Sequence, residues 1–136
     1  MDGKLQVTIV TPEQAVLERT ACDSLTLPAE AGELQVLPGH AALVTLLGIG
    51  IATWRDGGRS GSFAVKGGFA EIAADEVRVL ADAAVAPEAV DTERVRKEKD
   101  EAERRLLEVQ GEEQLAAVGD DARYAEARLS LAKGGA

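Results

Sequence analysis

The run Val77-Arg78-Val79-Leu80-Ala81-Asp82-Ala83-Ala84-Val85-Ala86-Pro87-Glu88-Ala89-Val90-Asp91-Thr92-Glu93-Arg94-Val95 holds the change of grammar on which the fold turns. Val77 to Leu80 reads as a short strand, the last of a series. Beyond Pro87 the pattern becomes helical. Asp91 or Thr92 can accept backbone N–H bonds at a helix N-terminus, and Glu93 complements the positive end of the dipole. Val95, Ala102, Leu106 and Val109 then recur at spacings of seven, four and three, a narrow apolar seam. Of the four prolines (Pro12, Pro28, Pro38, Pro87), none follows the junction, as uninterrupted helices require.

Towards the N-terminus the chain reads as β throughout. Leu5, Val7 and Ile9 alternate with Gln6, Thr8 and Val10, and Thr11-Pro12-Glu13 ends that strand. Ala15 to Glu18 suits a short partner. Leu25 with Leu27, and Leu34 with Val36, alternate again and are closed by Pro28 and by Pro38-Gly39. Leu43 to Leu47 and Ile49 to Trp54 are apolar runs broken by Gly48 and Gly50. Asp56-Gly57-Gly58 is a turn. Phe63 and Val65 are expected to form one strand and Phe69 to Ile72 another, parted by Gly67-Gly68. Short strands with frequent turns predict a β-sandwich or barrel.

Towards the C-terminus a second helix is expected after Gly119, with Asp120-Asp121 as its cap and Ala122, Ala125, Leu129 and Ala132 as its seam. Gly111 suits the end of the first helix, so Gly111 to Gly119 reads as a soft connection. Glu93–Lys97, Asp100–Arg104 and Glu101–Arg105 have the spacing of stabilising i,i+4 pairs. The expected fold is therefore an N-terminal β-sandwich over residues 1–87 and an antiparallel two-helix hairpin over 88–136. Each seam holds about four apolar residues, several of them alanine, and a large side chain stabilises by about 1.5–3 kcal/mol when fully buried. The hairpin is thus a marginal element that can detach at modest cost.

Composition narrows the function. The 136 residues carry a formal net charge of −9, against nucleic acid or anionic lipid as the main partner. No stretch approaches the ~18 apolar residues of a membrane span, and Met1-Asp2-Gly3-Lys4 leads straight into a strand with no signal or transit pattern. The expectation is a soluble protein whose membrane association runs through other proteins. A single cysteine, Cys22, excludes an internal disulfide and a cysteine-based zinc site, and is expected to be buried.

The inventory of chemistry is short. There is no phosphate-binding loop of the G-x-x-x-x-G-K-[ST] kind, and Gly48-Ile49-Gly50 lacks the third glycine and the helix of a dinucleotide loop. His40 has no partner set in its segment, metal-ligand spacing is missing, and no carboxylate pair stands out as acid and base. A binding or regulatory module fits better than an independent enzyme.

Five segments, in order, resemble those of ATP synthase epsilon subunits. They are Leu5 to Glu13; Gly32-Glu33-Leu34-Gln35-Val36-Leu37-Pro38-Gly39-His40-Ala41-Ala42-Leu43-Val44-Thr45; Lys66-Gly67-Gly68-Phe69-Ala70-Glu71-Ile72; Val77-Arg78-Val79-Leu80-Ala81-Asp82; and Tyr124-Ala125-Glu126-Ala127. The resemblance implies a non-catalytic rotor part of the central stalk. Such a part binds the gamma subunit and the polar loops of the c-ring beneath the alpha/beta head. It helps couple proton transport to ATP synthesis, at the cytoplasmic face of a bacterial inner membrane. The hairpin would switch between a folded-down state and an extended one that inhibits ATP hydrolysis.

Residue by residue, the resemblance implies c-ring contact through Glu33, with Glu30 adding to the field, and gamma contact through His40. Some relatives bind ATP through an aliphatic-Asp-x-x-Arg-Ala motif. Val90-Asp91-Thr92-Glu93-Arg94-Val95 keeps Asp91 and Arg94 but has Val95 where alanine is usual, and Arg123 and Arg128 could add phosphate contacts. ATP is thus a possible regulatory ligand, and no cofactor or metal is expected. The early end of the second helix and the soft connection before it predict weak inhibition of hydrolysis. Two other classes stay open: a stand-alone nucleotide-sensing module and a small hydrolase using His40.

Overall fold

A computed structural model describes residues 3–134. Eight strands come first: β1 (Leu5–Val10), β2 (Ala15–Cys22), β3 (Ser24–Ala29), β4 (Gly32–Val36), β5 (Leu43–Leu46), β6 (Ile49–Asp56), β7 (Arg59–Ala73) and β8 (Glu76–Val85). A 3-10 turn, Pro87–Ala89, leads to α1 (Thr92–Leu106) and α2 (Glu112–Ala132). The strand order is β2-β1-β8-β7-β6-β3-β4, with β5 beside β7. Every pair is antiparallel except β1 with β8. The β-sandwich with two C-terminal helices is thus the observed architecture.

The alternation read in β1 is real: Leu5, Val7 and Ile9 are fully buried and their neighbours half-exposed. They meet Val77, Val79, Ala70 and Ile72 in one layer, and Leu25, Leu27, Val36, Ala52, Trp54, Phe63 and Val65 in the other. Cys22 is also fully buried there, where burial pushes its thiol above the ordinary value.

The two strands expected on either side of Gly67-Gly68 are one. β7 runs fifteen residues without a break. Its register to β8 is unchanged across the glycines, from Lys66↔Ala83 to Gly68↔Ala81 and Phe69↔Leu80. On its other edge β7 pairs with β6 up to Ile49↔Lys66 and with β5 from Leu46↔Phe69. Both glycines have positive φ, 66° and 96°. A Cβ on Gly68 would stand 2.0 Å from the Leu80 carbonyl oxygen. The pair therefore bends β7 as it passes from one layer to the other, a use of glycine that sequence alone does not separate from a turn.

The hairpin also departs from expectation. α2 begins at Glu112 and continues through Gly119, so the connection is only Leu107 to Gly111. One glycine costs about 1 kcal/mol inside a helix. Val118 one residue earlier is 2% exposed and offsets that cost by packing. Asp91, rather than Thr92, caps α1, its Oδ1 accepting the Arg94 N–H at 3.2 Å. The seam is Val95 on α1 against Ala125 and Leu129 on α2, with Val90 packed on it; Ala102 and Val118 are buried too, while Leu106 and Val109 are half-buried. The three expected i,i+4 pairs do not form among the described residues. Arg94 pairs instead with Glu98, which also receives Arg128 from the other helix, and Arg104 pairs with Glu101.

α2 lies on the outer face of β6 and the first half of β7. There Thr53 is 8% exposed and Ala64 fully buried, although the outward side of a sandwich strand normally meets water. α2 runs alongside β6 in the same direction. Asp120 and Arg123 stand by Gly48 and Ile49, Ser130 stands by Thr53 and Arg55, and Leu131 stands by Trp54.

Candidate interaction surfaces

The largest anomaly of exposure lies on the opposite layer. Leu46, Phe69 and Leu80 face solvent at 57%, 36% and 37%. They are direct register neighbours: Leu46 opposite Phe69, Phe69 opposite Leu80, and Leu80 opposite Val10. Cross-strand partners share a face, so these side chains form one apolar row across β5, β7, β8 and β1. Val44, 67% exposed, starts the next row with Glu71 and Arg78, whose ion pair spans 3.7 Å. A contiguous apolar surface rimmed by charge marks a partner site more often than scattered exposure does. Reading these segments as strands did not single out the row. The signal was present in Leu43 to Leu47, a run apolar on both faces at once, which fits a strand covered on both sides.

His40 lies in the loop between β4 and β5, half-buried, its Nδ1 2.7 Å from the Ala41 carbonyl oxygen. That loop is fixed to the β7–β8 turn, because the Gly39 N–H donates to Asp75 Oδ1 at 2.8 Å. It leads directly into β5, so His40 stands at one end of the apolar layer. Leu37 in the same loop is 49% exposed.

Glu30 and Glu33 belong to the β3–β4 hairpin, both exposed. Ala29 and Gly32 close that turn as a register pair. Its position is fixed by two backbone bonds to the β5–β6 connection, Glu30 N–H to Leu46 O at 2.9 Å and Gly48 N–H to Pro28 O at 2.7 Å. The two carboxylates thus share one end of the sandwich.

The four residues of the nucleotide reading separate into three places. Asp91 is occupied as a helix cap. Arg94 and Arg128 converge on Glu98, at 3.4 and 2.9 Å. Arg123 pairs with Asp120 and faces a cleft shared with Glu30, Lys66 and Asp82. An anion seated between Arg94 and Arg128 would have to displace the Glu98 carboxylate.

The hairpin is tied to the sandwich chiefly at Lys66. Its ammonium reaches Asp121 at 3.2 Å and lies 5.9 Å from the centre of the Tyr124 ring. The Arg128 guanidinium covers the same ring at 4.4 Å. Burial pushes the Tyr124 hydroxyl above its ordinary value, so the phenol stays neutral under ordinary conditions. Between the helices, Lys99 meets Glu126 at 2.7 Å, which holds Glu126 below the usual glutamate value and raises Lys99. Among the described residues no group of three or more His, Cys, Asp or Glu could hold a metal ion, and no helix is long and apolar enough to cross a membrane.

Residues 4–87 match the family described as ATP synthase, Delta/Epsilon chain, beta-sandwich domain. The chain is 40% identical to the ATP synthase epsilon chain of Solibacter usitatus (strain Ellin6076), over 97% of this chain and 98% of that one. It is 38% identical to the epsilon chain of Synechococcus sp. (strain RCC307), over 79% of each. Among solved structures, a chain of the Euglena gracilis mitochondrial ATP synthase (OSCP/F1/c-ring in rotational state 1) superposes with a TM-score of 0.80 at 24% identity, covering 98% of this chain and 83% of that one. A chain of the Tetrahymena thermophila mitochondrial ATP synthase central stalk and c-ring does so with a TM-score of 0.62 at 19% identity, covering 98% and 97%. At those identities the likeness is one of fold.

Proposed function

The chain belongs to the delta/epsilon family of ATP synthase subunits, and on that premise we propose that it is a non-catalytic rotor subunit of the central stalk. In this role it joins gamma to the c-ring, helps couple proton transport to ATP synthesis, and sits peripherally at the cytoplasmic face of a bacterial inner membrane.

The observation that carries the reading is the apolar row Leu46–Phe69–Leu80, which no part of the described chain covers. In water an uncovered row loses about 25 cal/mol for each Å² left exposed. Gamma would cover it, with His40 at its margin. Glu30 and Glu33, at the end of the sandwich, would meet basic side chains on the c-ring loops, where complementary charge fixes register more than it adds affinity.

Residues 88–136 form the regulatory unit in this proposal. α2 covers Ala64 and Thr53 of the sandwich, buries its own Leu131 and is tied to Lys66. These contacts favour the folded-down state and support a weak effect on ATP hydrolysis. The soft connection that also argued for a weak effect is absent.

Affinity purification of Phe69→Glu and of the unaltered chain from host membranes tests the proposal. The charge at an exposed site leaves the fold intact and is expected to cut gamma recovery at least tenfold. Equal recovery of gamma from both would remove the row as the gamma seat. The stand-alone nucleotide sensor requires ATP binding at millimolar ligand, so titration calorimetry with no heat in that range would remove it.

A further inference from the structure

Among the described residues three strands have a paired neighbour on one side only: β2, β4 and β5. An open sheet edge is a template for another chain, and proteins blunt such edges with charges or bulges. β2 carries Glu18 and Arg19, and its register to β1 shifts twice. β4 carries Glu33. β5, Leu43-Val44-Thr45-Leu46, has no charge, no proline and no shift in its register to β7.

The exposure of β5 is what a missing neighbour leaves. Side chains alternate between the faces of a strand. Val44 and Leu46 are exposed on the outer face, the face of Phe69. Leu43 points the other way, opposite buried Ile72, yet is still 38% exposed. A partner lying only on the outer face would leave Leu43 open.

The backbone is open at the same place. The Leu47 N–H donates to the Gly68 carbonyl oxygen at 2.9 Å. Bonded and non-bonded pairs alternate along an antiparallel ladder. Leu43 and Thr45 therefore bond to β7, while Val44 and Leu46 turn their N–H and C=O groups away from it. The Leu46 oxygen has this phase, since it accepts the Glu30 N–H from the far side at 2.9 Å. That bond closes one end of the edge. The Val44 N–H and C=O and the Leu46 N–H have no backbone partner among the described residues.

We propose that β5 takes up a short extended segment of gamma as an added strand, paired through Val44 and Leu46. Gamma is the partner because the apolar row begins on β5, so a chain seated on Leu46 and Phe69 lies beside this edge. This deepens the gamma seat proposed above and rests on it. Main-chain bonds hold an added strand, and alternate side chains set its specificity. The segment that fits is apolar on both faces, covering Leu43 on one and Leu46 on the other.

Gamma recovery from host membranes with Val44→Pro, Val44→Ala and Phe69→Glu tests the pairing. Val44→Pro removes an outward N–H and keeps the bonds to β7, a placement that edge strands tolerate. It is expected to cut gamma recovery roughly tenfold, with an unchanged circular dichroism spectrum. Val44→Ala keeps the N–H and is expected to lose about threefold at most. Equal losses in both would mean a side-chain contact and overturn the added strand. Full recovery with Val44→Pro, alongside a loss with Phe69→Glu, also overturns it and leaves the row as the gamma seat. Full recovery with both variants removes the seat and the inference together. Amide exchange in the unaltered chain needs no variant to fold. The Val44 and Leu46 N–H groups should exchange about tenfold more slowly in the purified complex than in the free chain, and equal rates would overturn the pairing.

Discussion

Gly68 has a φ of 96° and no room for a methyl group, since a Cβ would fall 2.0 Å from one backbone oxygen and 2.8 Å from the Ala81 Cα. Neither atom is the end of a flexible side chain, so the strand itself must move. Gly68→Ala is expected to destabilise the protein by about 3 kcal/mol or more, a backbone effect rather than a lost contact, read as the urea midpoint. Gly111, with positive φ but nothing within 4 Å, is the matched control. Asp23 responds to pH. Hydrogen bonds from Lys4 and from the Gly57 N–H hold its carboxyl below the ordinary value. A depressed folded-state value contributes stability above the unfolded-state value and loses it as pH falls through the folded one. Acid unfolding of Asp23→Asn should therefore lack a small stabilising step near and below pH ~4, measured by circular dichroism. Both residues illustrate what sequence conveys here. A glycine pair announces an unusual backbone, but whether it turns the chain back or bends it through depends on strands remote in sequence.

α1 and α2 were legible as helices from the spacing of Val95, Ala102, Ala125 and Leu129. The start of α2 was not, because Gly119 and two aspartates imitate a helix boundary when the burial of Val118 is unknown. The docking of α2 was equally hidden. It depends on outward-facing Thr53 and Ala64, small residues that give no apolar signal. Lys66→Ala removes the ion pair to Asp121 and the contact with Tyr124. Exposed ion pairs contribute about 0.2–1 kcal/mol and cation–π contacts at such sites about 0.5–1 kcal/mol. The variant should release the hairpin several-fold more often, while global stability changes little. Faster amide exchange confined to residues 91–134 would report this. Salt should have the same direction of effect in the unaltered chain, through screening of the pair.

Because the sandwich core draws almost wholly on residues before Pro87, deleting residues 91–136 should leave a folded β domain. It loses cover over Ala64 and Thr53 but none of the main core. ATP hydrolysis by the complex carrying the truncated chain is expected to rise no more than about twofold, roughly 0.4 kcal/mol at 25 °C. A rise of tenfold or more in steady-state assays would contradict weak regulation. The β architecture and its inward faces were readable from alternation. For the apolar row the run Leu43 to Leu47 signals only a strand covered on both sides, and which of its faces stays open depends on strands remote in sequence. Within this body β7 carries Lys66 beneath the hairpin and Phe69 in the row, only three residues apart across the bend. Side chains on a strand change face at every step. One residue inserted or deleted between those two positions would therefore turn the row inward while leaving the hairpin seat in place. Length variation can be absorbed by the turns on either side of β7, whereas between Lys66 and Phe69 the chain tolerates substitution but not a change of count, so the two seats are inherited as a unit.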